Sequence, residues 1–292
     1  MSAALPKAAA PDAATGRGAE SVKAATARHW AATPIGTRTT GFHPEHAEFT
    51  PAWFEEQKRF RYVDYAPWLA DLAGFERHRG DLVLEVGCVM GTDLLEFAAH
   101  GARVVGLDLT RRHLELARRR FRASGRAGSF QQGDAERLPF ASGVFDFVYS
   151  CGVLHHTPDG ASAVREIHRV LKPGGRATIL LYHRNSFVYR FKICGYLALR
   201  EIARRLLGRG GRLRDFRPAD LLSASTDGPE NPLTRVYSRA ECRRLCAGFR
   251  QVTTRVAHLN RKDVLFLHPL PRPLLALLAR RWGWYVAIEA VK

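Results

Sequence analysis

Three stretches of the chain place acidic residues and glycines at the ends of short apolar runs, an arrangement suited to a polar, hydroxyl-bearing ligand. The first is Val83-Leu-Glu-Val-Gly-Cys-Val-Met-Gly-Thr-Asp93. An apolar run that enters a glycine turn and then a helix brings backbone N–H groups and a helix N-terminus close to a ligand's polar end. The second is Asp108, which closes the apolar run 104–107. A carboxylate in that position can accept hydrogen bonds from both hydroxyls of a ribose. The third begins with Gln131-Gln-Gly-Asp-Ala-Glu-Arg-Leu-Pro-Phe140, continues through Phe145-Asp-Phe-Val-Tyr-Ser150 and ends at Cys151-Gly-Val-Leu-His-His-Thr-Pro-Asp159. Taken singly, each has a plainer reading: a tight turn for the glycines, a helix cap for Asp108. Proton acceptors near these stretches are His155, His156, Tyr182 and His183, with His156 and His183 ranked first. A histidine of this kind serves as often in packing as in catalysis. The five cysteines form no CxxC pair and have no histidine at ligand spacing, so no metal site is expected.

These residues need a scaffold, and the hydrophobic pattern supplies one. Strands are expected at 82–86, 104–107, 130–132, 145–149 and 176–182, with helices at 94–99, 111–123 and 161–171 between them. Alternation of this kind makes a parallel sheet covered on both faces. The end of the chain departs from it. A helix at 237–248 opens with the capping box Ser238-Arg-Ala-Glu241, and strands follow at 252–259 and 284–291. The last two strands suit an antiparallel pair at the sheet edge, giving a seven-stranded, doubly wound α/β sheet rather than a six-stranded dinucleotide fold. The aromatic stripe at 53–68 reads as core packing. The segment 185–235 is a helical insertion after the fifth strand, rich in arginine. It reads as a helix packed on the domain, as a lid over an acceptor site, or as a membrane-surface element. Tyr237, Trp282, Trp284 and the loop from Thr226 to Pro232 are candidates for an acceptor pocket.

Composition bounds the partners. The 292 residues carry a formal charge of +17 with a pI near 10.4, which favours polyanions: nucleic acid, anionic lipid or a phosphorylated small molecule. The stretch 1–28 is rich in alanine, glycine and proline with few large apolar residues, and is expected to be a disordered tail before a domain at 29–292. It lacks the apolar centre of a secretory signal, and no run reaches the ~20 apolar residues of a membrane span. A soluble cytoplasmic protein is the expectation, with no stable protein partner evident.

Together, in their order and spacing, the three stretches and Leu171-Lys-Pro-Gly-Gly175 resemble the class I S-adenosylmethionine (SAM)-dependent methyltransferases. Within that class the resemblance is to the methyltransferase type 11 group that includes ubiquinone and menaquinone C-methyltransferases. It covers about 82–181 and implies a Rossmann-like methyltransferase sheet with SAM as cofactor. It also implies roles. Glu85, Gly87 and Gly91 match positions that shape the pocket for the methionine part of SAM. Asp108 matches the ribose carboxylate, with Leu109 beside the adenine. Asp134 matches the acid for the adenine amino group, with Ala135 next to it. Ser150 matches the strand end under the sulfonium.

The turn carries Val89 where the family has glycine. If φ is positive there, a β-branched residue costs about 1–3 kcal/mol. A pocket closed by Val89 would make the chain a degenerate, non-catalytic SAM-fold protein. Two further alternatives are a nicotinamide-dependent dehydrogenase and a methyltransferase acting on RNA. The sequence Tyr-Ser-Cys-Gly at the fourth strand end differs from the Asp/Asn-Pro-Pro-Tyr/Phe pattern of adenine N-methylation, and no RNA-binding module stands out. A small-molecule acceptor in secondary or cofactor metabolism is therefore the leading expectation. An anionic or phosphorylated acceptor and peripheral contact with a membrane are both compatible with the basic insertion.

Overall fold

The computed structural model describes residues 16–34, 36–37, 41–196, 199, 203, 206, 222, 226–228, 231–259 and 270–292. Seven strands form one sheet: β1 (Leu82–Val86), β2 (Arg103–Asp108), β3 (Ser129–Gln132), β4 (Phe145–Cys151), β5 (Leu171–Tyr182), β6 (Gln251–Ala257) and β7 (Tyr285–Val291). Their order is β3-β2-β1-β4-β5-β7-β6. β1 to β5 pair in parallel, and β7 lies antiparallel to both β5 and β6. The order grows outward in both directions from β1 and β4. That leaves a crevice at their carboxyl ends, where ligands of open α/β sheets bind.

Side chains alternate across the sheet and build two cores. Leu84, Val86, Val148, Ile179 and Leu181 pack against Val164 and Ile167 of helix α6 (Gly160–Val170). On the opposite face, Val83, Phe147, Tyr149 and Leu180 pack against Leu94 and Phe97 of helix α4 (Thr92–Ala99), and against Leu114 and Phe121 of helix α5 (Arg111–Ala123). The caps follow the sequence. Thr110 accepts from the His113 N–H at the start of α5, and Asp159 accepts from the Ser162 N–H at the start of α6. The Ser238–Glu241 capping box opens a helix at Arg239–Leu245.

Buried Arg120 ties α5 to the segment before the sheet. Its guanidinium donates to Gln57 Oε1, Thr92 Oγ1 and the Phe54 carbonyl, anchoring helix α2 (Pro51–Arg59) and its π-helical continuation Phe60–Tyr65, which leads to the short helix α3 (Leu69–Ala73). Burial pulls the Arg120 guanidinium down to about 10.

The expected disordered tail at 1–28 needs correction. From Gly16 to Ala32 the chain is a helix, α1, while residues 1–15 lie outside the described residues. Alanine is the strongest helix former, and here tertiary contacts supply the stabilisation that composition did not reveal. The insertion at 185–235 is described only in part. Val188–Gly195 forms a π-helical segment whose Val188 and Ile193 pack beside Tyr182 and Trp284. The lid expected from the remainder falls largely outside the described residues. No helix among the described residues is long and apolar enough to cross a membrane.

Candidate functional site

The glycine turn after β1 is wound by backbone geometry. Gly87 (φ 78°) and Gly91 (φ 71°) take left-handed conformations, and the Gly87 and Cys88 N–H groups both donate to the Leu107 carbonyl. A Cβ on Gly87 would lie 2.2 Å from Val153 Cγ2, so the turn closes against the segment after β4 only with glycine there. Val89 also takes the left-handed region, with φ 48°. Its N–H donates to Asp108 Oδ2 at 3.0 Å, which ties this strained residue to the acid at the end of β2.

Asp108 is held from several sides. Oδ1 accepts from the Thr110 N–H (2.9 Å), the Thr110 hydroxyl (3.1 Å) and His113 Nδ1 (3.0 Å). With Oδ2 already taking the Val89 N–H, the carboxylate retains room for one further donor rather than both hydroxyls of a ribose. His113, buried on α5, hydrogen-bonds Asp108 through Nδ1, while its Nε2 makes no hydrogen bond. That unsatisfied nitrogen offers a second place for a hydroxyl. Nothing in the linear motif marked His113. The signal available was a histidine one helical turn after the acid.

Asp134 follows β3 in a tight turn, with Oδ1 accepting from the Glu136 N–H (2.9 Å). Its Oδ2 meets Lys23 Nζ of α1 at 2.6 Å, and Lys23 also reaches Glu136 at 2.7 Å. Helix α1 therefore closes one side of the site. Lys23, Thr26 and Trp30 line a cleft of about 670 Å³, open mouth included, together with Gly87, Val89, Asp108, Leu109, His113, Asp134, Ala135, Val153 and His156.

The expected site residues thus divide. Gly87, Asp108, Leu109, Asp134, Ala135 and His156 share the cleft wall. Glu85, Gly91 and Ser150 stand behind it. Glu85 is buried with Oε2 making no hydrogen bond, and burial together with nearby Asp93 pushes its carboxyl well above the usual range. Ser150 donates to the Val86 carbonyl across the sheet. His183 lies elsewhere: its Nδ1 bonds the Gly283 carbonyl at 3.1 Å, and it does not line the cleft. Behind the turn, Asp93 receives two bonds from Arg61 (2.6 Å each) and one each from the Tyr62 and Tyr149 hydroxyls. This cluster docks the π-helical segment on α4, and no motif had drawn attention to Arg61.

Where Trp30 and His156 line the cleft, the packing behind them is aromatic and imidazole-rich. Trp30 meets His156 edge-on, His155 stacks on Tyr182 at 3.7 Å, and Tyr182 leans on Trp284 at 4.5 Å. His156 Nδ1 bonds the Leu233 carbonyl at 2.8 Å, so its hydrogen sits on Nδ1 and the lone pair on Nε2. Burial lowers the His156 pKa, opposed by Asp227 and the Leu233 carbonyl. The imidazole is therefore neutral at pH 7 and able to accept a proton. Of the acceptor-pocket candidates, Asp227, Asn231 and Trp284 gather here. Tyr237 joins the main core, and Trp282 packs under Arg281.

A family described as a methyltransferase domain matches residues 84–179. The ubiquinone biosynthesis O-methyltransferase of Pseudomonas paraeruginosa is 34% identical over 219 residues, 68% of this chain and 91% of that protein. The chain belongs to the class I SAM-dependent methyltransferases. The Thiobacillus denitrificans ubiquinone biosynthesis O-methyltransferase is 33% identical over 66% of the chain and 83% of its own length. A SAM-dependent methyltransferase from Mesorhizobium loti shares the fold, with a TM-score of 0.51 at 20% identity, covering 78% of this chain and 99% of its own.

The methyltransferase's cleft suits its cofactor. The backbone cradle at Gly87 admits no side chain, two carboxylates stand at the ends of β2 and β3, and the buried His113 Nε2 remains to be satisfied. That donor and acceptor set fits the ribose and adenine of SAM, and the glycine turn fits its methionine end.

Proposed function

We propose that this methyltransferase methylates a hydroxyl oxygen of a small, largely apolar aromatic acceptor, with His156 as general base. The observation that carries the reading is His156 itself. It lines the cleft with Nδ1 pinned to the Leu233 carbonyl and a buried Nε2 whose lone pair has no hydrogen-bond donor. When bound, SAM supplies an electrophilic methyl on a cationic sulfur. The protein's task is to hold the acceptor oxygen in line and remove its proton as the new O–C bond forms. Trp30, which lines the cleft and meets His156 edge-on, supplies apolar, aromatic surface suited to a flat ring, and Tyr182 packs behind His156. The names of the Pseudomonas and Thiobacillus relatives support an O-methyl acceptor in cofactor biosynthesis. Asp108, Leu109, Asp134 and Ala135 would hold the ribose and adenine, and Gly87 the methionine end, with Glu85, Gly91 and Ser150 shaping the wall behind.

The experiment is incubation of the purified protein with methyl-labelled SAM and catechols, with and without a prenyl side chain, alongside total RNA. Label recovered as an aryl methyl ether, faster for the prenylated catechol, is the expected result. Label transferred only to RNA, or no binding of SAM by calorimetry, would overturn it.

A further inference from the structure

Close to His156 lies a buried carboxylate that the cofactor-binding motifs do not include. Asp227 lies near the end of the insertion, and its side chain is 9% exposed. Oδ1 accepts from the Tyr182 hydroxyl at 2.9 Å, and Oδ2 accepts from the Thr226 hydroxyl at 2.6 Å. Both donors are neutral. Among the described residues, the basic side chain within ion-pair reach of this carboxylate is His156, whose Nε2 lies 3.8 Å from Oδ2. Residue 227 is fixed from a third side, where His29 Nε2 of α1 bonds its main-chain carbonyl at 3.0 Å.

Resting on the O-methyl-transfer reading, we infer that Asp227 is a positioning residue for His156: the fixed negative charge that stabilises the imidazolium formed when His156 takes the acceptor's proton. The acceptor O–H breaks and its proton goes to Nε2, while the oxygen's electron pair forms the bond to the methyl as the methyl–sulfur bond of SAM breaks, its electron pair staying on the neutral thioether of the demethylated product. A buried carboxylate with only neutral partners is costly, and gaining a cation 3.8 Å away on protonation of His156 offsets that cost at the moment of transfer. The groups facing His156 are His29 and Trp30 from α1, His155 from its own turn, Tyr182 from β5, and Asp227 and Asn231 from the loop. Asp227 is the carboxylate among them. Asn231 donates to the Thr234 hydroxyl beside the ring.

Histidine NMR on the full-length protein tests this without any acceptor. In the wild type, His156 should titrate at higher pH than His155, which is equally enclosed but has no carboxylate beside it. In Asp227→Asn, the His156 pKa should fall by about one unit or more, and Asp227→Glu should restore most of the loss. Titration of His156 at or below His155 in the wild type, or no change in Asp227→Asn, overturns the proposal. If Asp227→Asn does not fold, Asp227→Ser takes its place, and an unchanged His156 titration there overturns the proposal. With a prenylated catechol as probe, Asp227→Asn should lower kcat about 10- to 100-fold and move the acid limb of the kcat profile to lower pH, leaving the KM for SAM unchanged. Failure of the wild type to methylate that catechol would count against the O-transfer reading, while the NMR result stands for the Asp227–His156 pair by itself.

Discussion

The two ends of the cleft are built in different ways. The cofactor end comes from consecutive strand ends: Gly87 after β1, Asp108 closing β2 and Asp134 after β3, with His113 one helical turn beyond Asp108. The proposed acceptor end draws Trp30 from α1 and His156 from the turn after β4, with Tyr182 of β5, Asp227 and Asn231 of the insertion and Trp284 beside β7 packed behind them. One end is a local feature of the Rossmann-like sheet, and the other is an assembly of distant segments. A fold arranged in this way can hold one cofactor on a constant frame while varying the acceptor through loops and appended helices.

The sharpest test of that division removes the proposed base. His156→Asn should lower methyl transfer by about 10²–10⁴-fold while SAM affinity by calorimetry stays within about twofold. A parallel loss of SAM binding would mean that the two ends are a single unit.

Acid should separate them next. Burial pulls His258, packed against Tyr65, Trp68 and Tyr285, down to about 4, below its unfolded value near 6.5. A histidine kept neutral by the fold contributes stability that is full above about pH 6.5 and lost as the pH falls toward 4. The loss from His258 is on the order of 3 kcal/mol. At the cofactor end, burial pushes the Asp93 carboxyl upward, but Arg61 and its hydroxyl donors outweigh this and hold it below its ordinary value. Its contribution survives until the pH falls below that of an ordinary carboxylate. Hydrogen exchange at pH 5 should therefore show the amides around His258 opening before those of β1 and α4. His258→Asn should flatten the fall in Tm between pH 6.5 and 4, and an unchanged profile would count against the assignment.

Gly87→Ala attacks the cofactor end alone. With φ at 78° and Val153 2.2 Å from the new Cβ, it should cost about 2–3 kcal/mol by thermal melting and weaken SAM binding. A variant that melts and binds like the wild type would show that the turn yields easily.

The smallest effect is expected at Val89. Replacing it with glycine relieves a strained φ of 48° but adds backbone freedom to the unfolded chain. The net gain should be about 1 kcal/mol or less, with SAM affinity changed less than about threefold. A gain of a hundredfold or more in affinity would mean that the valine side chain obstructs the cofactor.

Much of the cofactor end was legible in the linear chain, because it depends on neighbours in sequence. Apolar runs that end in glycine or aspartate place residues at strand ends, and the observed strands agree with the expected ones at 82–86, 145–149 and 284–291 to within two residues. Period-2 alternation and the Ser238–Glu241 box act over a few residues and leave a local signature. The proton acceptors were a different matter. His155, His156, Tyr182 and His183 have no local feature that ranks them, and packing separated them: His155 stacks on Tyr182, His183 bonds the Gly283 carbonyl, and His156 faces the cleft. The same holds for α1. Its alanine-rich sequence carries few of the large apolar residues that announce a folded element, and its order comes from Lys23 on Asp134, His29 on Asp227 and Trp30 on His156. Those partners lie more than a hundred residues away. A contact at that separation is set by how the sheet brings chain segments together, and no local pattern records it.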